Sequence, residues 1–217
     1  MIKYKILIVL LVMGILPGSG QHIKMGLLKY SGGGDWYANP TSLPNLARFC
    51  NKELNTNFHP EYMEITPDAV DIFNVPYVHM TGHGNVVLND SERRNLREYL
   101  YAGGFLHIDD NYGMDEFIRR ELQKLFPDKE LIELPFSHPI YHQTFDFEQG
   151  LPKIHRHDGK PPQGFAIMHE GRVLVFYTYE SDLGDGWEDP SVHNDNPQKH
   201  REALQMGANI IEYALHH

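Results

Sequence analysis

Two apolar segments that run straight into glycine-flanked polar clusters constrain this chain most. Tyr77-Val78-His79-Met80 leads into Thr81-Gly82-His83-Gly84, and Gly103-Gly104-Phe105-Leu106-His107-Ile108 leads into Asp109-Asp110-Asn111. Short apolar runs bounded by glycine read as strands buried on both faces, the usual condition of a parallel sheet. Between them, Asn89 stands three residues before Glu92 in capping-box spacing, Leu96, Tyr99 and Leu100 face one way, and Gly103 ends the helix. Strand, helix and strand in that order predict a right-handed crossover between parallel strands.

The rest of the chain extends the pattern. Ile23 to Tyr30 reads as a first strand, followed by the turn Ser31-Gly32-Gly33-Gly34. Leu43, Leu46, Ala47, Cys50 and Leu54 then mark the inward stripe of a helix, with Thr41 or Ser42 as its N-cap and Pro44 in its first turn. Tyr62 to Ile65 is a short second strand, and Phe117, Ile118, Leu122, Leu125 and Phe126 outline a further helix stopped by Pro127. The second half changes style. Leu131 to Leu134 reads as a strand, Pro135 to Pro162 is irregular and rich in histidine, and Phe165–Met168 and Arg172–Tyr177 form a hairpin turning at Glu170-Gly171. Asn196-Pro197 opens a closing helix with Leu204, Ile211 and Leu215 on one stripe. The prediction is a single α/β domain over 21–217.

Residues 1–20 stand apart. Lys3 and Lys5 precede an apolar run from Ile6 to Leu16, and Pro17-Gly18-Ser19-Gly20 supplies small residues. This reads as a secretory signal peptide, too short in its apolar run to be a comfortable membrane span. The expected mature protein, from about Gln21, is exported and makes no stable membrane insertion. Two of the 19 basic residues lie in this segment and none of the 29 acidic ones, so the mature chain is more acidic than the full chain's net charge of −10. That balance argues against nucleic acid and anionic lipid as partners, because phosphate affinity comes from Lys and Arg. The single cysteine, Cys50, excludes an intramolecular disulfide, and its place on an apolar stripe marks it as a small hydrophobe.

Ligands of open α/β sheets bind at the carboxyl ends of strands, which directs attention to the two polar clusters. Glycines on both sides of His83 free the backbone to turn and leave an imidazole suited to proton transfer or metal ligation. Alternation along a strand puts Asp109 on the face of Phe105 and His107, and Asp110 on the face of Leu106 and Ile108. At least one of these carboxylates is expected in the crevice, while Asp110 or Asn111 caps the next helix; His107 reads as a hydrogen-bonded core residue. His83, Asp109 and Asp110 are therefore the candidate catalytic or metal-binding set, with a divalent cation as the cofactor.

Among the remaining histidines, His138, His142, His155 and His157 have spacings that can chelate zinc but lie in irregular stretches, where a lid over the crevice is an equal reading. The acidic run Asp182 to Asp189 lacks the spacing of a calcium loop and is expected to be solvated. Trp36 and Trp187 are candidates for the apolar wall of a pocket and equally for core plugs. No Gly-x-Ser-x-Gly elbow, P-loop or dinucleotide fingerprint is present.

Gly33-Gly34-Asp35-Trp36-Tyr37, Asn45-Leu46, Thr81-Gly82-His83-Gly84, Leu96 to Leu100 with Gly103-Gly104-Phe105, Asp109-Asp110 and His138-Pro139-Ile140 together resemble a bacterial family known only as a domain of unknown function, DUF4159. The resemblance runs from about Lys24 into the closing helix. That family looks related to the class I glutamine amidotransferase-like superfamily, which implies a flavodoxin-like three-layer sandwich with a mainly parallel sheet. Amidotransferases of that type carry a cysteine at a strand-to-helix elbow. Here Gly82-His83-Gly84 and Asp109-Asp110-Asn111 occupy those strand ends, so the resemblance does not carry that chemistry. Relatives in membrane-associated proteins of diderm bacteria imply a periplasmic or cell-envelope location.

Two functions follow as expectations. One is a binding module for a small molecule, a cell-envelope ligand or an envelope protein, with Asp35, Trp36, Tyr37, Gly82, Gly84, Asn111 and Trp187 around the crevice. The other is a metal-assisted, hydrolase-like enzyme using His83 as ligand or base and Asp109 or Asp110 as ligand or orienting acid.

Overall fold

Asn89 accepts hydrogen bonds from the backbone N–H groups of Ser91 and Glu92, while the Glu92 carboxylate accepts from Asn89 N, so the predicted capping box is formed. The helix it starts runs over Asp90–Tyr101 and joins strands at Tyr77–Gly82 and Phe105–Asp110, which pair parallel. The computed structural model describes residues 22–217, and the expected signal peptide lies outside them.

Among the described residues the strands are β1 (Gly26–Leu28), β2 (Met63–Ile65), β3 (Tyr77–Gly82), β4 (Phe105–Asp110), β5 (Ile132–Glu133), β6 (Gln163–His169) and β7 (Arg172–Tyr179). They form one sheet in the order β2-β1-β3-β4-β7-β6-β5. Every pair from β2 to β7 is parallel, whereas β6 runs antiparallel to both β7 and β5. The hairpin turns at Glu170 (φ 49°) and Gly171 (φ 83°), the paired left-handed conformation that suits the twist of two antiparallel strands.

The helices are α1 (Ser42–Glu53), α2 (Asp90–Tyr101), α3 (Asp115–Leu125), α4 (Leu183–Trp187), α5 (Pro190–His193) and α6 (Pro197–His216). On one face of the sheet, Leu46 and Cys50 of α1 and Met206 and Ile210 of α6 pack with Tyr77, Phe105 and Phe176. On the other, Leu96 and Leu100 of α2 and Ile118 and Leu122 of α3 pack with Val78, Leu106 and Val175. Covering both faces explains why β3 and β4 are buried along their whole length. Cys50 is fully buried, as expected, and burial pushes its thiol pKa up, which keeps it unreactive.

α6 starts as its sequence requires, with Asn196 accepting from Gln198 N and Pro197 in the first turn. It lies close on α1. A methyl group at Gly207 would come within 2.7 Å of Leu46 and 2.8 Å of the Trp187 ring, so glycine sets the spacing there.

β3 and β4 are each two residues longer than the sequence reading placed them. Thr81 pairs with Asp109 and Gly82 with Asp110, and Asp109 pairs in turn with Thr178 of β7. Backbone groups with neighbours on both sides stay in the ladder, so the polar residues at 109 and 110 belong to the sheet itself. The stretch from Asp182 to Asp189 also differs from expectation: it is the short helix α4 with its flanks, and Asp182, Asp185 and Glu188 are buried. Trp187 is fully buried, and its indole N–H donates to Ala203 O at 2.7 Å. It is a core plug rather than a pocket wall, because α4 turns it under α6.

Candidate functional site at the carboxyl edge of the sheet

The parallel connections change direction between β1 and β3, since β2 lies on one side of β1 and later strands on the other. This is where open α/β sheets leave a crevice. Tyr30, just after β1, donates its hydroxyl to Thr81 O at 3.1 Å, tying the two strand ends together. Gly82 has φ +134°, and a Cβ there would lie 2.5 Å from the Tyr30 hydroxyl, so the turn requires glycine. Gly84 is left-handed too, with φ +76°.

That turn presents His83. Its backbone N–H donates to Asp35 Oδ1 and its Nδ1 lies 3.1 Å from Asp35 Oδ2. Burial pushes the Asp35 pKa upward, but the hydrogen bonds and charge of His83 outweigh it and the net direction is down. The carboxylate therefore stays ionised and directs Nδ1, while the imidazole, half exposed, turns Nε2 away from this partner. Trp36 packs edge-on to Tyr37 and carries Lys29 Nζ 4.9 Å from its ring centroid; Tyr37 is exposed. Asp35, Trp36, Tyr37, Gly82, His83 and Gly84 thus share one rim.

Asp109 and Asp110 do not join His83. Asp109 is buried, with Oδ1 against the Thr178 hydroxyl and Oδ2 accepting from Gly184 N at 2.7 Å. Burial pushes its pKa up to about 8. Asp110 points to the other face, where Oδ1 accepts from Met114 N at 2.8 Å at the head of α3 and Oδ2 accepts from the Tyr177 hydroxyl at 3.3 Å. The expected capping of the next helix by Asp110 or Asn111 is not formed: Met114 is the N-cap of α3, without a side-chain capping bond, and Asp110 binds the backbone N–H of that residue. The shared hollow anticipated for His83 and both acids is not built, because alternation sends the two carboxylates to opposite faces and each is consumed by hydrogen bonds there.

Asn111 is buried as well. Its Oδ1 accepts from Thr81 Oγ1 at 3.0 Å and its Nδ2 donates to Asn39 Oδ1. Asn39 Nδ2 donates onward to Asp185 Oδ1 at 2.6 Å. His107 is the hydrogen-bonded core residue foreseen, 3.0 Å from both the Tyr77 hydroxyl and Thr178 Oγ1. His79 beside it is buried with its pKa pushed down to about 3 by burial, so it is neutral.

The asparagine chain leads to a second cluster. β7 leaves the sheet through Glu180 (φ 56°) and Asp182 (φ 59°), both left-handed. Asp182 Oδ2 lies 2.5 Å from His157 Nε2 and 3.5 Å from His155 Nδ1. The same His155 nitrogen is 3.2 Å from Asp185 Oδ2, and His155 Nε2 is 3.1 Å from Asp195 Oδ1. His193 Nε2 stands 3.9 Å from Asp185 Oδ2. The hydrogen bond to Asp185, with the surrounding carboxylates, pushes His155 up to about 9; burial, then Asp185, pushes Asp182 up to about 7.

Among the described residues, two groups bring at least three such ligand atoms within 4.8 Å, His155–His157–Asp182 and His155–Asp185–His193. His83, Asp109 and Asp110 belong to neither. His138 instead caps a turn by accepting from Ile140 N, and His142 pairs with Asp146. Sequence reading missed Asn39, Thr178, Asp182 and Asp185 as site residues. One signal was present: the acidic run follows β7 directly, so it had to begin near the edge where β4 also ends.

This fold and edge define an α/β protein whose polar residues gather at the strand ends. The chain belongs to the family described as Domain of unknown function (DUF4159), whose model matches residues 24–215. A comparison with curated proteins finds no match.

Proposed function

We propose that this protein is an exported binding module of the cell envelope, which receives a small ligand in the crevice over β1 and β3. One observation carries the reading: the Asp35–His83 pair stands, half exposed, where the sheet connections change direction. Trp36 and Tyr37 beside it offer apolar faces of the kind that hold a sugar or other envelope fragment. Export is supported by the basic-then-apolar start of residues 1–20. Among the described residues no helix is long and apolar enough to cross a membrane. The parallel order β2-β1-β3-β4-β7 supports a flavodoxin-like superfold. Kinship to the amidotransferase-like superfamily rests on the sequence resemblance, and the burial of Cys50 in α1 argues against its cysteine chemistry here.

The test is a panel of envelope glycan and peptide fragments added to the protein, read by NMR at the Trp36 indole and the His83 ring. Binding that shifts both signals and weakens at least about tenfold in His83→Ala and Trp36→Ala is expected. Fragments that leave these signals unmoved while the protein is folded would refute the reading.

A second reading, a hydrolase-like enzyme, is favoured by the same pair, because an acid that orients Nδ1 leaves Nε2 to take a proton. It requires turnover of an ester, amide or phosphate substrate that His83→Ala abolishes.

A further inference from the structure

The loop between Leu151 and Gly159 and the segment after β7 meet with an excess of negative charge. Asp182, Asp185 and Asp195 all approach the His155 imidazole, and Lys153, whose charge reaches Asp182, is already paired with Glu180. Asp182 has no accessible surface, and its Oδ1 is buried without a hydrogen-bond partner. A buried carboxylate with one oxygen unanswered is costly unless a cation or donor completes it.

The spacing suits a metal. Tetrahedral zinc with bonds of about 2.0–2.1 Å places neighbouring ligand atoms about 3.3 Å apart. Asp185 Oδ2 lies 3.2 Å from His155 Nδ1 and 3.9 Å from His193 Nε2, whereas Asp182 Oδ2 is 3.5 Å from His155 Nδ1 and hydrogen-bonded at 2.5 Å to His157 Nε2. The supporting shell is also in place. Asn39 holds the other oxygen of Asp185, Asp195 faces the far nitrogen of His155, and Tyr112 stacks on His157 with centroids 4.4 Å apart. His155, His157 and His193 each keep some exposure, so an ion has a path in.

We propose that His155, Asp185 and His193, whose ligand atoms lie within 4.8 Å of one another, bind one divalent cation of the zinc class, with Asp182 and His157 lining its other side. The ion clamps the 151–159 loop to α4 and α5. Its ligands are other residues than the Asp35–His83 pair, and neither proposal depends on the other.

The experiment uses the full-length protein without a histidine tag, stripped with chelator and titrated with zinc sulfate by calorimetry. Cobalt(II) absorbance reports the coordination geometry. One ion per chain is expected, with a rise in melting temperature on zinc addition. His155→Ala should weaken binding by more than about a hundredfold and His193→Ala, at the exposed α5, by about tenfold or more. His142→Ala, outside the cluster, should bind as wild type. His193→Ala keeps the test decisive if His155→Ala fails to fold. Absence of zinc uptake by folded wild-type protein overturns the proposal, as does uptake that His193→Ala and His157→Ala leave unchanged.

Discussion

Asp109 and Asp110 are neighbours in sequence whose carboxylates lie on opposite faces of the sheet, one held by Thr178 and Gly184, the other by Met114 and Tyr177. Each links the end of β4 to a different layer, α4 on one side and α3 on the other.

The two acids should therefore respond differently to the same substitution. Asp109→Asn keeps an acceptor for Gly184 N and a donor for the Thr178 hydroxyl, so near neutral pH it should change stability little. Asp109→Ala strands the buried Gly184 N–H and should destabilise by about 1–3 kcal/mol. Asp110→Ala leaves the buried Met114 N–H without its acceptor and should destabilise by about 1–3 kcal/mol. Denaturant midpoints at pH 6 check all three.

Burial raises the Asp109 pKa to about 8 in the folded state, above its ordinary value of 3.8. The folded protein thus holds a proton that the unfolded chain gives up. The resulting stabilisation is complete below the unfolded pKa and is lost as pH rises through the folded one. Chelator-treated wild type should lose stability between pH 5 and 8 at up to about 1.4 kcal/mol per pH unit from this group. Asp109→Asn should be flatter over the same window. Equal slopes in the two proteins would show that this carboxyl is ionised throughout.

Trp187 and Trp36 should separate core from rim. Trp187→Ala empties a fully buried site and is expected to destabilise by about 3–5 kcal/mol, whereas Trp187→Phe loses chiefly the bond to Ala203 O, about 1 kcal/mol. Gly207→Ala drives a methyl into Leu46 and Trp187 and should destabilise by about 1–3 kcal/mol. Trp36→Ala, at the half-buried rim, should stay within about 1 kcal/mol of wild type. Thermal and urea unfolding distinguish these outcomes.

Asp35 should govern the tautomer of His83. With Nδ1 turned to the carboxylate, neutral His83 carries its proton on Nδ1, and nitrogen-15 shifts of the ring should report that form. Asp35→Ala should move the ring toward the Nε2-protonated form, with little loss of stability because His83 is exposed. An unchanged tautomer ratio in that variant would show that Asp35 does not orient the ring.

Local pattern determined much of this protein. The capping box at Asn89 and Glu92, the hairpin turn at Glu170-Gly171, the Asn196-Pro197 helix start and the buried stripe through Cys50 all depend on residues within a turn or two, and each formed as its local chemistry requires. The glycine-flanked turn at His83 and its rim residues, Asp35 to Tyr37, were likewise visible as strand endings. Only the tertiary structure decided which polar groups meet. Whether Asp109 faces solvent or a buried threonine depends on β7 lying beside β4, a pairing across 69 residues of chain. The gathering of His155, His157, Asp182, Asp185 and His193 depends on a loop and a post-strand helix closing on one another. Spacing along the chain carries no information about such distant contacts, because burial and packing of the whole sheet set them.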